Sequence, residues 1–374
     1  MLFRLAPNTP RFRAFELLNE EFLYFLEHAV TATEFGRELF SAGAIGQAFW
    51  DNSKENDQRA QNDLTRDKFE TLFIALHNSG QANKQRLFES MSGQQDLHVF
   101  FNNPNRDVLA FLTKNCFDCL KSVATHLYCA TKDIQPIVQA AGGNDITSHF
   151  NAFRTQNVNG NVCKACGMEK LAAFRAGVPD GEQWRADYDH QLCKSKYPIF
   201  AVHPYNLIPL CTVCNQDAKK AKDLFRHTNG NDRLAFYPYR EEARDFITIV
   251  FDNLRDPEPT IKVEWNVPNT TVLDKLNTWD EVYDIRRRVE GQFRSLEDII
   301  EDEINPIDAV HLVNRIRDEA RPVALDTLKR KEWAFWYQKL FSALDQLEIQ
   351  PFLAKWNFVN QQAADSVDYI LDVV

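Results

Sequence analysis

The sequence predicts a mainly α-helical protein with a small central knuckle domain and a short β region after it. Three observations carry that expectation: apolar residues spaced three and four apart over both flanks, two Cys-x-x-Cys pairs near the middle, and short aromatic, β-branched runs behind them. At 374 residues the chain exceeds one typical domain. The expected organisation is a helical domain over 1–150, the knuckle domain over 151–230, and short strands followed by helices over 231–374.

From about Thr9 to Trp50, first Phe15, Leu18, Phe22, Phe25 and Leu26 and then Phe35, Leu39, Phe40, Ile45 and Phe49 recur at the spacing that gives a helix one buried face. Residues 51–63 are polar and cannot bury a face, so a loop is expected there. Helices resume with Phe69, Leu72, Phe73 and Leu76, and again from Asp107 to about Ala140. Gly142, Gly143 and the Asn-rich run to Asn161 favour turns, which sets the first expected boundary. Behind the cysteine pairs, Leu234 to Tyr239, Phe246 to Phe251 and Ile261 to Val267 read as strands. From Val272 onward the pattern is helical again, with Leu273, Leu276, Trp279 and Val282 on one face and Trp333, Trp336, Leu340 and Leu344 on another.

No stretch approaches the roughly 18 apolar residues that a membrane span needs. The first residues, with Arg4 and Pro7 in place of an apolar core, do not resemble a secretory signal, so a cytoplasmic location is expected. Eight cysteines in such a chain read as metal ligands and buried thiols, because the cytosol keeps thiols reduced. A net charge of -10 argues against a surface that coats nucleic acid as a whole. The distribution is uneven, however: residues 161–226 hold ten Lys and Arg against seven Asp and Glu.

Cys163-Lys-Ala-Cys166 and Cys211-Thr-Val-Cys214 have the spacing that lets a tight turn aim two thiolates at one tetrahedral ion. Together they make a four-cysteine zinc site, closed and therefore structural. A third pair, Cys116-Phe-Asp-Cys119, with His126 and Cys129, follows helical spacing through Val123 and Ala130 and reads as one face of a helix. The acidic run Glu297 to Glu303 reads as a solvated helix face.

Between the knuckles lie Asp187-Tyr-Asp189-His190 and Pro204-Tyr-Asn206-Leu-Ile-Pro-Leu-Cys211, and Asn215 directly follows the last cysteine. In order, Asp189, His190, Asn206, Cys211, Cys214, Asn215, Lys219, Lys220 and Lys222 resemble the HNH (ββα-metal) endonuclease superfamily over about residues 161–226. The resemblance implies an Asp-His pair at the end of a first strand, an Asn that holds the intervening loop, and an Asn opening a Lys-rich helix. The implied activity is metal-dependent hydrolysis of phosphodiester bonds in DNA. An imidazole neutral near pH 7 suits His190 as general base, and Asp189 and Asn215 offer oxygen atoms to a catalytic Mg²⁺ or Mn²⁺. Asn206 is expected to orient the loop by backbone hydrogen bonds.

Lys194, Lys196, Lys219, Lys220 and Lys222 are the expected contacts to the phosphate backbone, although lysines on a helix also serve solubility. Asn215 stands where the namesake pattern has His, Cys193 where relatives often have Pro, and Tyr197 to Pro204 where many have a Gly-rich loop. His203 reads as a packing residue, with phosphate or metal contact as the functional alternative. HNH proteins with large flanks often act in anti-phage defence or restriction. The acidic helical flanks are thus expected to meet a protein partner, such as an ATPase or sensor subunit, or a second copy of the chain. The competing reading is a non-catalytic, zinc-stabilised module that binds nucleic acid or protein.

Overall fold

A computed structural model describes residues 1–132, 134–178, 182, 185–252, 259–347 and 353. The chain divides into two compact units. The larger comprises Leu5–Asn161 and Leu171–Arg240, and the smaller comprises Met1–Arg4, Val162–Lys170 and the chain from Glu241 onward. The expected segments 1–150 and 151–230 thus fall mostly within the larger unit. The reason is visible in its core, where side chains of the central segment pack among those of the helical one.

In the larger unit, α1 (Arg13–Thr31) buries Phe15, Leu18, Phe22, Phe25 and Leu26, the face that the spacing predicts. It is followed by α2 (Ala44–Asp51), α3 (Thr65–Ser79), α4 (Gln81–Ser92) and α5 (Leu97–Asn102). Phe69 of α3 is the hub of an aromatic cluster, with ring centroids 4.6 Å from Phe25, 5.4 Å from Phe40, 5.6 Å from Phe49 and 5.9 Å from Phe22. Such offset and edge contacts add to the area that each ring removes from water. Next, α6 (Lys114–His126) runs into a π-turn, Leu127–Thr131, and α7 (Gln135–Ala140) follows.

Residues 142–161 depart from expectation. The segment expected to form turns contains α8 (Ile146–Phe153), whose first turn is capped by Asp145 accepting from the Ser148 N–H. Ile146, Phe150 and Phe153 are buried, a three-four spacing that the surrounding asparagines obscured.

Two short strands follow, β1 (Tyr188–His190) and β2 (Leu207–Pro209). They are antiparallel, with Asp189 opposite Ile208 and His190 opposite Leu207. A second π-turn, Val213–Lys219, comes directly after. The expected strand Leu234 to Tyr239 forms no ladder. Pro238 has no N–H to donate, and the aromatic alternation there serves packing: Tyr237 lies 5.0 Å from Phe101, and Tyr239 lies 5.2 Å from Tyr205.

In the smaller unit the other two expected strands pair as a hairpin, β3 (Ile247–Asp252) with β4 (Thr260–Trp265), in a register from Ile247–Trp265 to Asp252–Thr260. The helices α9 (Thr270–Tyr283), α10 (Ile285–Phe293), α11 (Leu296–Glu303), α12 (Ala309–Glu319), α13 (Leu325–Leu328) and α14 (Ala334–Asp345) complete it. The acidic run lies on α11, which turns Leu296, Ile299 and Ile300 inward. Two buried indoles, Trp279 of α9 and Trp336 of α14, donate to the carbonyls of Ala165 (2.8 Å) and Cys166 (2.7 Å) and so fix the first knuckle. Among the described residues no helix is long and apolar enough to cross a membrane.

Phe69→Ala opens a cavity inside the aromatic cluster, and an expected loss of about 3–5 kcal/mol follows from large-to-small core substitutions. Urea unfolding checks it, and a loss below about 1 kcal/mol contradicts the hub assignment.

Candidate functional site

The site is built around the β1–β2 hairpin. Strand β1 ends at His190, after which the Gln191 N–H donates to the Asn206 carbonyl (2.9 Å). The fully buried Asn206 side chain closes the loop from within. Its Oδ1 accepts from the Leu192 N–H (2.7 Å), and its Nδ2 donates to the carbonyls of Leu192 (3.0 Å) and Phe200 (2.9 Å). Asn206 thus satisfies backbone groups that the loop would otherwise leave buried and unpaired.

Beneath the strand, Tyr188 donates its hydroxyl proton to His149 Nδ1 (2.5 Å), and His149 Nε2 donates to the Pro10 carbonyl (2.9 Å). Burial pushes the His149 imidazole down to about 4, so the ring stays neutral and keeps Nδ1 free to accept.

Asp189 points into a sealed environment. Its side chain is 3% exposed, Oδ1 accepts from Lys219 Nζ (2.9 Å), and Oδ2 accepts from Gln191 Nε2 (2.7 Å). Lys219, 1% exposed, also donates to the His190 carbonyl (2.7 Å). Burial pushes the Asp189 carboxyl above the usual carboxylate range, while the Lys219 ammonium and the Gln191 amide hold it back. Lys219 reaches this position from the π-turn Val213–Lys219, which is held against the start of β1 by Gln216 Nε2 donating to Asp187 Oδ2 (2.8 Å). Asn215, half-buried, stands four residues before Lys219 on the same turn.

His190 Nε2 lies 2.9 Å from the Ala201 carbonyl. A carbonyl only accepts, so Nε2 carries the proton and Nδ1 keeps its lone pair. Burial pushes this imidazole down to about 3, aided by Lys194 and Lys219 and opposed by the bond to Ala201. The Tyr128 ring meets His190 edge to face at 4.4 Å.

The four knuckle cysteines are buried, and their sulfurs all lie within 4.8 Å of one another. Tetrahedral zinc with Zn–S of about 2.3 Å needs sulfurs about 3.8 Å apart, so the set fits such an ion with little adjustment. The turns are formed as well: Gly167 N–H donates to the Cys163 carbonyl (2.9 Å), and Asn215 N–H donates to the Cys211 carbonyl (3.0 Å). The Met168 N–H points at Cys166 Sγ (3.4 Å). Gly167 has φ +71, and a Cβ there would lie 2.5 Å from Leu2. These four residues can hold a structural metal such as zinc.

The remaining expected residues scatter. Lys219 is not on a solvated face but is the buried partner of Asp189, a position that its place in a lysine run concealed. The helix expected to carry Lys219, Lys220 and Lys222 stops at Lys219, and Lys220 sits at φ +52. Lys220 is exposed and Lys222 half-buried. Lys196 is exposed and pairs with Asp223 (3.3 Å), while Lys194 lies over the Tyr128 ring at 4.8 Å. His203 is a packing residue, 3% exposed, donating from Nε2 to the Gln95 carbonyl (3.0 Å). Cys193 is buried. Cys116 lies on the inner face of α6 with its thiol on the Ala75 carbonyl (3.1 Å), and Cys129 is exposed on the π-turn. Two residues of the site had no signal in sequence: Gln191, which completes the Asp189 cage, and Tyr128, some sixty positions away.

No family model, curated protein or solved structure matches the chain.

The buried ion pair makes a specific demand. Lys219→Met leaves Asp189 sealed without its counter-charge, with an expected loss of about 3–5 kcal/mol, and adding Asp189→Asn recovers most of it. Urea midpoints of the single and double variants read this, and equal losses in both speak against the pair. For the knuckles, elemental analysis of the full chain is expected to find about one zinc per molecule. Cys166→Ser or Cys214→Ser removes that zinc and leaves insoluble protein, because metal-linked folding energy is lost. A soluble Cys214→Ser chain of unchanged melting temperature contradicts the assignment.

Proposed function

We propose that the chain is a metal-dependent endonuclease that hydrolyses phosphodiester bonds of DNA, with His190 as general base. One observation carries the reading: β1 ends on Asp189 and His190, and the turn Val213–Lys219, which carries Asn215, folds back onto that same Asp through Lys219. Strand, strand and helical turn occur in the order of the HNH arrangement that the sequence resembles, with Asn206 clamping the loop between the strands.

The chemistry follows from the proton positions. With Nε2–H tied to Ala201, His190 presents Nδ1 as the atom that takes a proton from the attacking water. Burial, with the Lys194 and Lys219 ammonium groups, disfavours the imidazolium that results, and a phosphodiester brings negative charge that offsets this. The Ala201 carbonyl keeps the ring oriented in both protonation states. Asp189 and Asn215 offer a carboxylate and an amide oxygen, the hard donors that Mg²⁺ or Mn²⁺ takes, and each Asp189 oxygen has a lone pair beyond its hydrogen bond. Such an ion would supply positive charge to the phosphate as charge builds in the transition state. Lys194, Lys196 and Lys220 remain as phosphate contacts, whereas Lys219 acts through Asp189 and the His190 carbonyl.

The near-complete burial of Asp189 and His190 favours a second reading, a zinc-stabilised binding module without catalysis. A plasmid-nicking assay separates the two. The wild type is expected to nick with Mg²⁺ or Mn²⁺ and to stop with EDTA. His190→Ala is expected to lower the rate about 10²–10⁴-fold while keeping zinc and melting temperature. Cleavage undiminished in His190→Ala would remove the nuclease reading.

A further inference from the structure

A general base has to come within about 2.6–3.2 Å of the proton that it removes, and a phosphate must fit beside it. His190 does not offer that space as the chain is folded: it is 9% exposed, and the Tyr128 ring stands edge-on at 4.4 Å. The same tyrosine engages Lys194, whose ammonium lies 4.8 Å over the ring and 3.9 Å from Cys129 Sγ. One side chain thus stands against both the proposed base and a lysine proposed to grip phosphate. The tyrosine is latched to the strand of the site itself, its hydroxyl donating to the Tyr188 carbonyl (3.2 Å), and its ring stacks on Phe15 at 5.6 Å.

The element that carries Tyr128 suits a movable part. It is the π-turn Leu127–Thr131, in which the α6 hydrogen-bond pattern gives way to a wider one. Such turns are rare within helices and concentrate at functional sites. Cys129 and Ala130 are exposed and Tyr128 is half-buried, while the buried Leu127 and Thr131 anchor the two ends of the turn, so the part free to swing is its middle.

We propose that this π-turn is a cap that, through Tyr128, holds the His190 site closed until it is displaced. The inference rests on reading His190 as the base that acts on a phosphodiester, and it adds that the activity is restrained from within the chain. Substrate binding must then be coupled to opening of the turn, which releases Lys194 and uncovers Nδ1 of His190 together.

Labelling of histidines in the full-length protein by diethyl pyrocarbonate, read by peptide mass spectrometry, tests this with exposed His77 as internal standard. Tyr128→Ala is expected to speed His190 labelling about tenfold or more and leave His77 unchanged, as opening a protected site does. An unchanged His190 rate in folded Tyr128→Ala overturns the cap. If that variant does not fold, the wild type carries the test in urea below its unfolding transition. Labelling of His190 that rises before the far-UV signal changes supports a locally opening cap, and labelling that rises only with global unfolding overturns it. Plasmid nicking on the same samples separates the two readings. Faster nicking by Tyr128→Ala supports both, whereas an unmasked His190 without cleavage by either protein leaves the cap standing and removes the nuclease.

Discussion

Asp189 and Lys219 are both sealed from water, and two opposite charges in that position must hold each other, because neither has solvent to fall back on. Much of the local geometry follows from this constraint. The turn after the second knuckle has to deliver Lys219 to β1, so its start is fixed against the strand by Gln216 on Asp187. The lysine's other hydrogen bond, to the His190 carbonyl, ties the backbone of the neighbouring imidazole to the same point. Gln191 fills the second carboxylate oxygen, so the residue after the Asp-His pair is committed to the cage as well.

Around that pair, polar groups are satisfied one by one. Asn206 spends both ends of its amide on the loop between the strands, and Ala201 in that loop accepts from the imidazole. His149 and Tyr188 form a relay that ends on the Pro10 carbonyl, which ties the strand to the helical part of the larger unit. This density of hydrogen bonds is characteristic of a region that must hold side chains in one orientation, since a partly satisfied buried network costs more than an apolar core.

Much of the local architecture was legible in the sequence because it depends on short-range pattern. The buried faces of α1, α3, α9 and α14 follow from apolar spacing, and the β3–β4 hairpin follows from its β-branched runs. The metal-binding potential of Cys163, Cys166, Cys211 and Cys214 follows from Cys-x-x-Cys spacing, which sets the turn that aims each pair. Composition misled where it outweighed spacing, as in α8, hidden among asparagines. Alternation misled at 234–239, where aromatic packing and Pro238 displaced the ladder.

What the sequence determined by itself was therefore the set of chemical groups and the elements on which they sit: two thiol pairs, an Asp-His pair at a strand end, and helical flanks with known inner faces. These depend on neighbours within a few positions, and local sterics and periodicity fix them. The tertiary structure alone decided which groups meet. It took Lys219 out of a lysine run and made it the counter-charge of Asp189, and it brought Tyr128 over His190 from another element. Nothing local distinguishes a lysine that will be buried from its exposed neighbours. The difference is a matter of which low-dielectric cavity the folded chain closes around it, and what opposite charge waits there.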